Sequence, residues 1–529
     1  MSSVKFVNNI KRKLLYPFDH DLTFMVLLWG MISLGEVIVQ MRLAGVGSAV
    51  FCLLANFCIA YVIVFICDLN KVFSIFLKPL IYFIITIFTC LNLYCLYFYH
   101  TRLDNNILET ITQTNIQEAR EYFSMYIGWL QYLYLIFFLL VAGFLYWLAV
   151  KPLKYGIRKS GLWCCLLIGC SAAAAVSDHG NSYKETGFFS FERSVDLSKY
   201  PTYPKVGQSE IPLPDKLVIV IGESHSRSHS SLYGYPKLTN PLMAKRQQEG
   251  NLIVFDSVNS IGFSTTKTFK YILNTASPSD SIPWYKSTHL IEVLKTAGYH
   301  TSWISNQIRK GIYDNVSSAP SKLCDESIFI SETGDQYRRY DDELGDVNLN
   351  DQYHKRAIFY HLMGQHEVFR DRYPSGFNKF DEKDYTDLSL SPKNRKTLSE
   401  YDNATLYNDF VIDKIISNIS GSDAILIYFP DHGLDVFESG PDFCGHAKNI
   451  PESRKAALEI PMFVFLSDKF IEKRPEISKR LRSSTGNKMV TDKLIYTVMD
   501  ILGLRFLESD DVKKYSILTD YSHTRLQAP

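Results

Sequence analysis

Five long apolar segments lie within the first 176 residues and constrain the fold more than any other feature of the sequence. A helix needs roughly 20 mostly apolar residues to cross the ~30 Å hydrocarbon core of a bilayer. The segments that meet or approach this length are residues 22–40, 47–67, 80–98, 126–150 and 161–176. We therefore predict an α-helical transmembrane domain of five spans over residues 1–176.

The charged residues are distributed unevenly along the chain. The first 180 residues hold 13 Lys and Arg and 9 Asp and Glu, and the remaining 349 residues hold 43 and 46. The second part has the charge content of a soluble domain, and the first part lies far below it. This excludes a wholly soluble protein and a disordered one. The net charge of +1 also argues against a nucleic-acid partner, because coating nucleic acid requires a strongly basic surface.

The positive charges between the spans predict the orientation in the membrane. Ten Lys and Arg precede the first span or lie between spans two and three and spans four and five, and only three lie in the opposite loops. Positive loops stay in the cytoplasm, so we predict a cytoplasmic N-terminus. Five spans then place everything beyond residue 176 outside the cytoplasm.

Residues 177–215 are polar and are predicted to be a linker, and a catalytic domain is predicted over residues 216–529. Short apolar runs in this domain predict strands, namely residues 216–221, 252–255, 301–304, 357–363, 424–429 and 461–466. Helical patterns separate them, notably residues 289–297, 398–416 and 488–502. Uninterrupted apolar strands alternating with helices are typical of a largely parallel sheet that is covered on both faces.

Chemically reactive side chains follow three of the predicted strands. Glu223 follows the first, Asp431 and His432 follow the fifth, and His366 follows the fourth, which itself contains His361. Ligands of open α/β sheets bind beyond the carboxyl ends of the strands. Glu, Asp and His together suit Zn²⁺, with Mn²⁺ also possible, better than Mg²⁺. We therefore predict a metal site at this edge.

The segment around Thr265 offers a nucleophile for that site. Residues 262–268 lead into a helical pattern at residues 269–274, so a hydroxyl there would lie at a helix N-terminus, beside free N–H groups that favour phosphate. Metal coordination would lower the pKa of the threonine hydroxyl enough for attack on phosphorus.

Each of these residues also has an alternative interpretation: Thr265 as a helix cap, Asp431 and His432 as a turn, and the histidines as structural. Cys324 and Cys444 are either a disulfide or two thiols.

Residues 222–241 read Gly-Glu-Ser-His-Ser-Arg-Ser-His-Ser-Ser-Leu-Tyr-Gly-Tyr-Pro-Lys-Leu-Thr-Asn-Pro. This run resembles the signature of membrane-anchored phosphoethanolamine transferases in the alkaline phosphatase and sulfatase superfamily. Further segments resemble that family in the same order, at residues 262–265, 361–366, 401–403, 431–433 and 445–446. The resemblance covers nearly the whole chain and implies a sulfatase-like (alkaline phosphatase-like) α/β domain behind the five spans.

The resemblance also implies roles for individual residues. Four of them would bind the catalytic zinc, with the threonine also acting as nucleophile: Glu223, Thr265, Asp431 and His432. His366 and His446 would contact the phosphoryl group or a second zinc, and either could protonate the leaving alkoxide. The residues expected to contact substrate are Thr110, Thr114, Glu118, Lys310 and His361. Thr110 stands where many relatives have Asn.

The implied reaction transfers phosphoethanolamine from phosphatidylethanolamine through a phosphoethanolamine-threonine intermediate. Many relatives have a cysteine pair where this chain has Ile261 and Tyr271, and those that modify lipid A tend to be richer in disulfides. We therefore expect an acceptor in the lipopolysaccharide core, with lipid A or periplasmic glucan as alternatives. A glycerol-phosphate transferase of the lipoteichoic acid synthase type has a similar architecture, but the long first motif argues against it. An inactive envelope-assembly factor is a further alternative.

Overall fold

The structure is a computed structural model. It describes residues 14–43, 46–101, 103, 107–108, 111, 119–120, 122–123, 127–150, 195–308, 316–331, 339–349, 352–386 and 389–519. The chain divides into two compact units. The membrane unit comprises Met1–Thr114 and Tyr122–Phe191, and the catalytic unit comprises Asn115–Glu121 and Glu192–Pro529.

The membrane unit is built from apolar helices. They are α1 (Leu22–Leu43), α2 (Val46–Asp68), α3 (Lys71–Tyr99) and α4 (Trp129–Ala149). Within the described residues, three helical segments are long and apolar enough to cross a membrane, and they are Val46–Asp68, Ser74–Tyr99 and Trp129–Ala149. A shorter apolar stretch, Leu22–Leu34, belongs to α1. The predicted fifth span, residues 161–176, lies outside the described residues, so the count of five stays a prediction.

Helix α3 begins at Lys71, nine residues before the predicted start of the third span. The sequence pattern excluded this first part because it contains Lys78. The structure accommodates the lysine by pairing it: its Nζ lies 2.9 Å from Asp21 Oδ1 and 2.6 Å from Asp68 Oδ1. A buried ammonium is tolerated when opposite charges compensate its loss of hydration.

A seven-stranded sheet forms the centre of the catalytic unit, in the order β3–β11–β8–β2–β7–β5–β6. The strands are β2 (Lys216–Gly222), β3 (Leu252–Phe255), β5 (His300–Ser305), β6 (Glu326–Phe329), β7 (Arg356–His361), β8 (Ala424–Pro430) and β11 (Met462–Leu466). Strand β11 is antiparallel to both of its neighbours, and the other pairings are parallel. The predicted largely parallel α/β sheet is confirmed. The edge strand β6 was missed because its side chains are only half-buried and form no apolar run.

The catalytic unit also contains three two-stranded sheets, and two of them change boundaries predicted from the sequence, those of the linker and of the helix at residues 488–502. They pair β1 (Val206–Gln208) with β13 (Leu504–Phe506), β4 (Ser257–Asn259) with β12 (Lys488–Val490), and β9 (Asp435–Val436) with β10 (Cys444–Gly445). Strand β1 ties residues 206–208 to the catalytic unit, so this part of the predicted linker is not a linker. Strand β12 likewise replaces the start of the helix predicted over residues 488–502.

Helices cover both faces of the sheet. They are α5 (Pro241–Gln248), α6 (Thr265–Phe269), α7 (Leu290–Thr296), α8 (Pro392–Ile419), α9 (Pro451–Leu458), α10 (Asp468–Lys473), α11 (Pro475–Ser483), α12 (Leu494–Ile501) and α13 (Asp511–Tyr515). On one face, Ile219 lies in a buried cluster with Leu294 of α7 and Leu494 of α12. On the other, Tyr428 of β8 accepts a hydrogen bond of 2.9 Å from Asn408 of α8. The interior strands are therefore buried on both sides, which is why they read as continuous apolar runs.

Candidate active site

The sheet register brings the predicted reactive side chains to one edge. Strand β2 lies between β7 and β8, with Ile221 opposite His361 and Gly222 opposite Pro430. All three strands run parallel, so their carboxyl ends coincide. The segments that follow are joined directly, because the Asp431 amide donates to the Gly222 carbonyl at 3.0 Å.

Glu223, Asp431 and His432 form one buried cluster at this edge. One ligand atom from each residue lies within 4.8 Å of those of the other two. His432 Nε2 is 3.5 Å from Glu223 Oε1 and 3.5 Å from Asp431 Oδ2. Asp431 Oδ2 is buried and makes no hydrogen bond with any of the residues that the structure describes. A buried carboxylate oxygen without a donor is costly unless a cation compensates it, so the cluster fits a metal ion.

Surrounding hydrogen bonds orient each of the three side chains. His432 Nδ1 lies 2.7 Å from the Gly433 carbonyl, which fixes the proton on Nδ1 and leaves the lone pair of Nε2 facing the cluster. Asp431 Oδ1 accepts from the amides of His432 at 2.7 Å and Ser224 at 3.3 Å, which directs Oδ2 inward. Glu223 Oε1 accepts from the Ser224 hydroxyl at 2.8 Å.

Thr265 is the first residue of α6, which begins four residues before the helical stretch predicted at residues 269–274. The predicted position of a hydroxyl at a helix N-terminus is confirmed, and this hydroxyl reaches the cluster. Its Oγ1 lies 3.2 Å from Glu223 Oε2 and 3.4 Å from His432 Nε2. The four residues that the sequence assigned to the metal therefore converge in the structure. The side chain is half-buried, so an incoming substrate could reach the hydroxyl from outside.

Burial dominates the protonation behaviour of the cluster. It raises the pKa of Glu223 to about 7, with a further contribution from the nearby Asp431 carboxylate, and raises that of Asp431 to about 6. Burial also lowers the pKa of His432 to about 4, so the imidazole is neutral at pH 7. Two carboxylates and a neutral imidazole are ligand types that zinc accepts, and three such ligands would leave the fourth position of a tetrahedral site open.

The two further histidines expected in the site lie beside this cluster. The His446 ring centroid is 5.0 Å from that of His432, and His446 Nδ1 is 3.3 Å from Glu367 Oε1. Burial alone would lower the pKa of His446, but the hydrogen bond to Glu367 and the surrounding carboxylates raise it. Burial and the positive charge of Arg372 lower the pKa of His366 to about 3. His446 is therefore the better suited of the two to donate a proton, because His366 is neutral at pH 7.

His361 occupies a different position from the one expected. Its side chain is 1% exposed, and its ring lies 4.9 Å from the Phe269 ring and 5.6 Å from the Trp303 ring between centroids. Phe269 is the last residue of α6. This enclosure does not support direct contact with substrate, and it favours a role in supporting the helix that carries Thr265.

The other predicted substrate contacts are Thr110, Thr114, Glu118 and Lys310, and all four lie outside the described residues. Their roles stay predictions. The structure adds Gln307, whose Nε2 donates to Glu223 Oε2 at 3.2 Å and to the Leu362 carbonyl at 3.1 Å. Its position just after β5, a fourth strand ending at this edge, is the signal that could have identified it.

Most of the long motif at residues 222–241 supports the site rather than forming it. Ser224 has a positive φ of 55°, and the buried Tyr401 hydroxyl donates to its carbonyl at 2.7 Å and accepts from the Ser226 amide at 2.8 Å. Gly364 approaches the same turn so closely that a Cβ there would lie 2.8 Å from the Glu223 backbone. The turn is therefore fixed from two sides.

His229 of the same motif is held between two acidic side chains. Its Nδ1 lies 3.0 Å from Asp402 Oδ1 and its Nε2 lies 3.3 Å from Glu438 Oε1. Burial opposes the charge, but these hydrogen bonds raise the pKa of His229 to about 10.

The two cysteines of the catalytic unit, Cys324 and Cys444, are both free thiols in the structure and form no disulfide with each other.

The helices of the membrane unit and the buried Glu, Asp and His at the edge of an α/β sheet define a membrane protein with a sulfatase-like domain. A family model described as sulfatase matches residues 215–504, more than half of the chain. A second model, described as phosphoethanolamine transferase EptA/EptB, matches residues 49–198. The chain therefore belongs to the sulfatase family, among its membrane phosphoethanolamine transferases.

Individual proteins agree with this assignment. The phosphoethanolamine transferase EptC of Escherichia coli K12 is 27% identical over 446 residues, which are 77% of this chain and 76% of the relative. The zinc complex of the EptC periplasmic domain from Escherichia coli matches with a TM-score of 0.55 at 28% identity, over 61% of this chain and 92% of that domain. Lipooligosaccharide phosphoethanolamine transferase A of Neisseria meningitidis matches with a TM-score of 0.62 at 19% identity, over 94% of this chain and 97% of that chain. This similarity supports the fold of the chain.

Proposed function

We propose that this protein transfers phosphoethanolamine from phosphatidylethanolamine to an envelope glycolipid, with Thr265 as the nucleophile. The observation that carries this proposal is the position of the Thr265 hydroxyl. Its Oγ1 lies 3.2 Å from Glu223 Oε2 and 3.4 Å from His432 Nε2, two members of the buried candidate metal cluster. A capping role alone would not require that approach. The names of the relatives, EptC among them, supply the donor group.

Zinc is the proposed metal, held by Glu223, Asp431 and His432 with Thr265 as the fourth ligand. Bound there, Zn²⁺ would lower the pKa of the threonine hydroxyl and neutralise charge on the phosphoryl oxygens. The orphaned Asp431 Oδ2 and the lone pair of His432 Nε2 support this choice, as does the zinc complex of the EptC domain. Mn²⁺ would fit the same donors.

The first half-reaction forms a bond from Thr265 Oγ1 to the phosphorus of the lipid and breaks the bond from phosphorus to the diacylglycerol oxygen. The leaving alkoxide takes a proton from His446, whose raised pKa favours the protonated form. In the second half-reaction an oxygen of the acceptor attacks phosphorus and Thr265 Oγ1 leaves. His446, which the first half-reaction leaves neutral, takes the acceptor's proton and so returns to its protonated form.

The donor and the location follow the same proposal. Thr110, Thr114 and Glu118 would contact the donor lipid, and Lys310 would contact its headgroup. The protein would lie in a bacterial inner membrane with a cytoplasmic N-terminus and five spans, so the catalytic unit would be periplasmic. A periplasm-active reporter fused after Pro529 should then be active, and an inactive fusion would contradict this topology.

The proposed acceptor is the lipopolysaccharide core, with lipid A and periplasmic glucan as alternatives. Ile261 and Tyr271 stand where many relatives have a cysteine pair, and both pack against the hydrophobic core of the catalytic unit. This part of the site is therefore stabilised without a disulfide. That feature separates this chain from the disulfide-rich relatives that modify lipid A.

The test is mass spectrometry of all three envelope fractions from cells with and without the full-length protein. The wild type should add a phosphoethanolamine group to the core fraction. Thr265→Ala should abolish the addition, whereas the neighbouring variant Thr266→Ala should retain it as a matched control. Wild-type product with Thr265→Ala would overturn the role of Thr265. No phosphoethanolamine on any fraction would overturn the transfer itself.

A further inference from the structure

A buried carboxylate stands beside the half-exposed His446. Glu367 is 6% exposed, and its Oε1 lies 3.3 Å from His446 Nδ1. The two residues come from separate segments of the chain, because Glu367 follows β7 and His446 follows β10. The His446 ring is in turn 5.0 Å from the ring of His432 between centroids. The pair therefore lies at the rim of the candidate metal cluster.

The segment that carries Glu367 is fixed in place. Arg372 is buried, and its Nε donates to the carbonyls of His366 and Glu367, each at 3.1 Å, while its Nη2 donates to the Glu367 carbonyl at 2.6 Å. Gly364 begins this turn with a positive φ of 48°. The backbone at residues 364–367 is therefore held independently of His446.

The segment that carries His446 has less support of its own. It follows a hairpin in which β9 and β10 contribute only two residues each. An imidazole at the end of so short a hairpin needs a partner to hold one ring orientation. A carboxylate that accepts from Nδ1–H supplies that orientation and fixes the tautomer, leaving Nε2 for the substrate.

We propose that Glu367 is the positioning residue for His446 in phosphoryl transfer. Two adjacent residues of one turn then act at the site. His366 acts directly, and Glu367 orients His446, which lies across the site. This inference rests on the proposed function, because it gives His446 its task of donating a proton to the leaving group. It adds a residue that lies in none of the motifs carrying the family resemblance.

The activity test is a double-mutant cycle in the full-length, zinc-loaded protein in detergent micelles with phosphatidylethanolamine. Glu367→Ala should lower kcat by about 10- to 100-fold, with KM for the donor nearly unchanged. In a His446→Ala background the same change should cost less than about twofold, because the residue through which Glu367 acts is gone. Equal losses in both backgrounds, or no loss in the wild-type background, would overturn the proposal.

Two variants control for indirect effects. Glu367→Gln keeps an acceptor oxygen and should restore most of the rate lost in Glu367→Ala, and it also serves if the alanine variant fails to fold. A glutamine variant as slow as the alanine one would overturn the hydrogen-bond account. Glu400→Ala removes another half-buried carboxylate, on α8, and should keep wild-type activity. A comparable loss there would mean that the Glu367 effect is not specific.

A second readout separates this inference from the proposed function. In full-length protein with ¹⁵N-labelled histidine side chains, the signal of His446 is assigned by its loss in His446→Ala. Its Nδ1–H should be hydrogen-bonded in the wild type and altered in Glu367→Ala. An unchanged signal would overturn the positioning role even if transfer is observed. An altered signal without any transfer from phosphatidylethanolamine would support the positioning role and count against the proposed function.

Discussion

Buried charges are arranged in two different ways in the two units of this protein. In the membrane unit, the Lys78 ammonium lies between the carboxylates of Asp21 and Asp68, at 2.9 and 2.6 Å. In the catalytic unit, the carboxylates of Glu223 and Asp431 meet the neutral imidazole of His432. Within the part of the chain that the structure describes, no lysine or arginine lies at ion-pair distance from those two carboxylates.

The difference shows what each cluster requires. A buried carboxylate loses its hydration and needs a positive partner. The membrane cluster contains its own cation, because the Lys78 ammonium lies within ion-pair distance of both carboxylates. The catalytic cluster has the acidic groups without the cation, and a divalent metal ion would supply it. The same physical rule thus separates a structural ion pair from a candidate metal site.

The largest expected effect comes from breaking the catalytic cluster. Asp431→Asn should remove bound zinc and lower transfer by at least about 1,000-fold, since groups that act as one catalytic unit cause losses on this scale. Zinc content and turnover of the purified full chain measure both effects. The control is Asp409→Asn, a buried carboxylate that instead accepts from the first amides of α5. Full zinc content in the Asp431 variant would contradict the assignment of the ligand.

The membrane cluster should respond in the opposite way. Lys78→Met leaves two buried carboxylates without their cation and should destabilise the protein by about 3–5 kcal/mol, while zinc content stays at the wild-type level. Thermal unfolding in micelles measures the loss. Adding Asp21→Asn and Asp68→Asn to the same chain should recover much of it, because no unpaired charge remains. If the triple variant is no more stable than Lys78→Met, packing rather than charge sets the loss.

His229 provides a third arrangement, in which the cation between two carboxylates can be titrated. Its pKa is raised from 6.5 to about 10 in the folded protein. A group whose pKa is higher in the folded than in the unfolded protein stabilises the fold. Its contribution is fully present below the unfolded-state pKa and is lost as the pH rises towards the folded-state pKa. Stability should therefore fall by about 2–4 kcal/mol between pH 6.5 and 10, a scale set by roughly 1.4 kcal/mol per pKa unit with a discount for coupling.

The measurement is the unfolding free energy of the full chain at several pH values in that window. His229→Gln should be less stable than the wild type at pH 6.5 and should lose little more on going to pH 10. Parallel pH profiles for the two proteins would contradict a charged His229. The comparison isolates this residue because other groups that titrate in the window are common to both proteins.

The sequence predicted the metal cluster because its members follow buried parallel strands. Strands such as β2 and β8 are covered on both faces, so they appear as uninterrupted apolar runs whose ends are easily located. Glu223 and Asp431 come directly after those ends. Their convergence follows from the register of the sheet, and neither residue needs a contact from a distant segment to be identified.

The residues that the sequence did not predict depend on such contacts. Glu367 meets His446 only because separate segments pack together. The segment at residues 401–403 was singled out by the resemblance, but the contact of Tyr401 with the Ser224 turn was not predicted. The sequence pattern carries no record of those approaches. Strand β1 was missed for a related reason: three residues of moderate burial make a strand only when β13 lies beside them.

Tyr401 offers the mildest test, because its hydroxyl supports the metal cluster without belonging to it. Tyr401→Phe leaves the Ser224 carbonyl and the Ser226 amide without their partner, which should cost about 1–3 kcal/mol. Zinc affinity should fall by about tenfold, since the loosened turn carries Glu223. Tyr373→Phe is the control, because this fully buried hydroxyl donates to Asn378 at 3.3 Å and does not touch the turn. Equal zinc affinity in both variants would mean that the turn holds its shape without Tyr401.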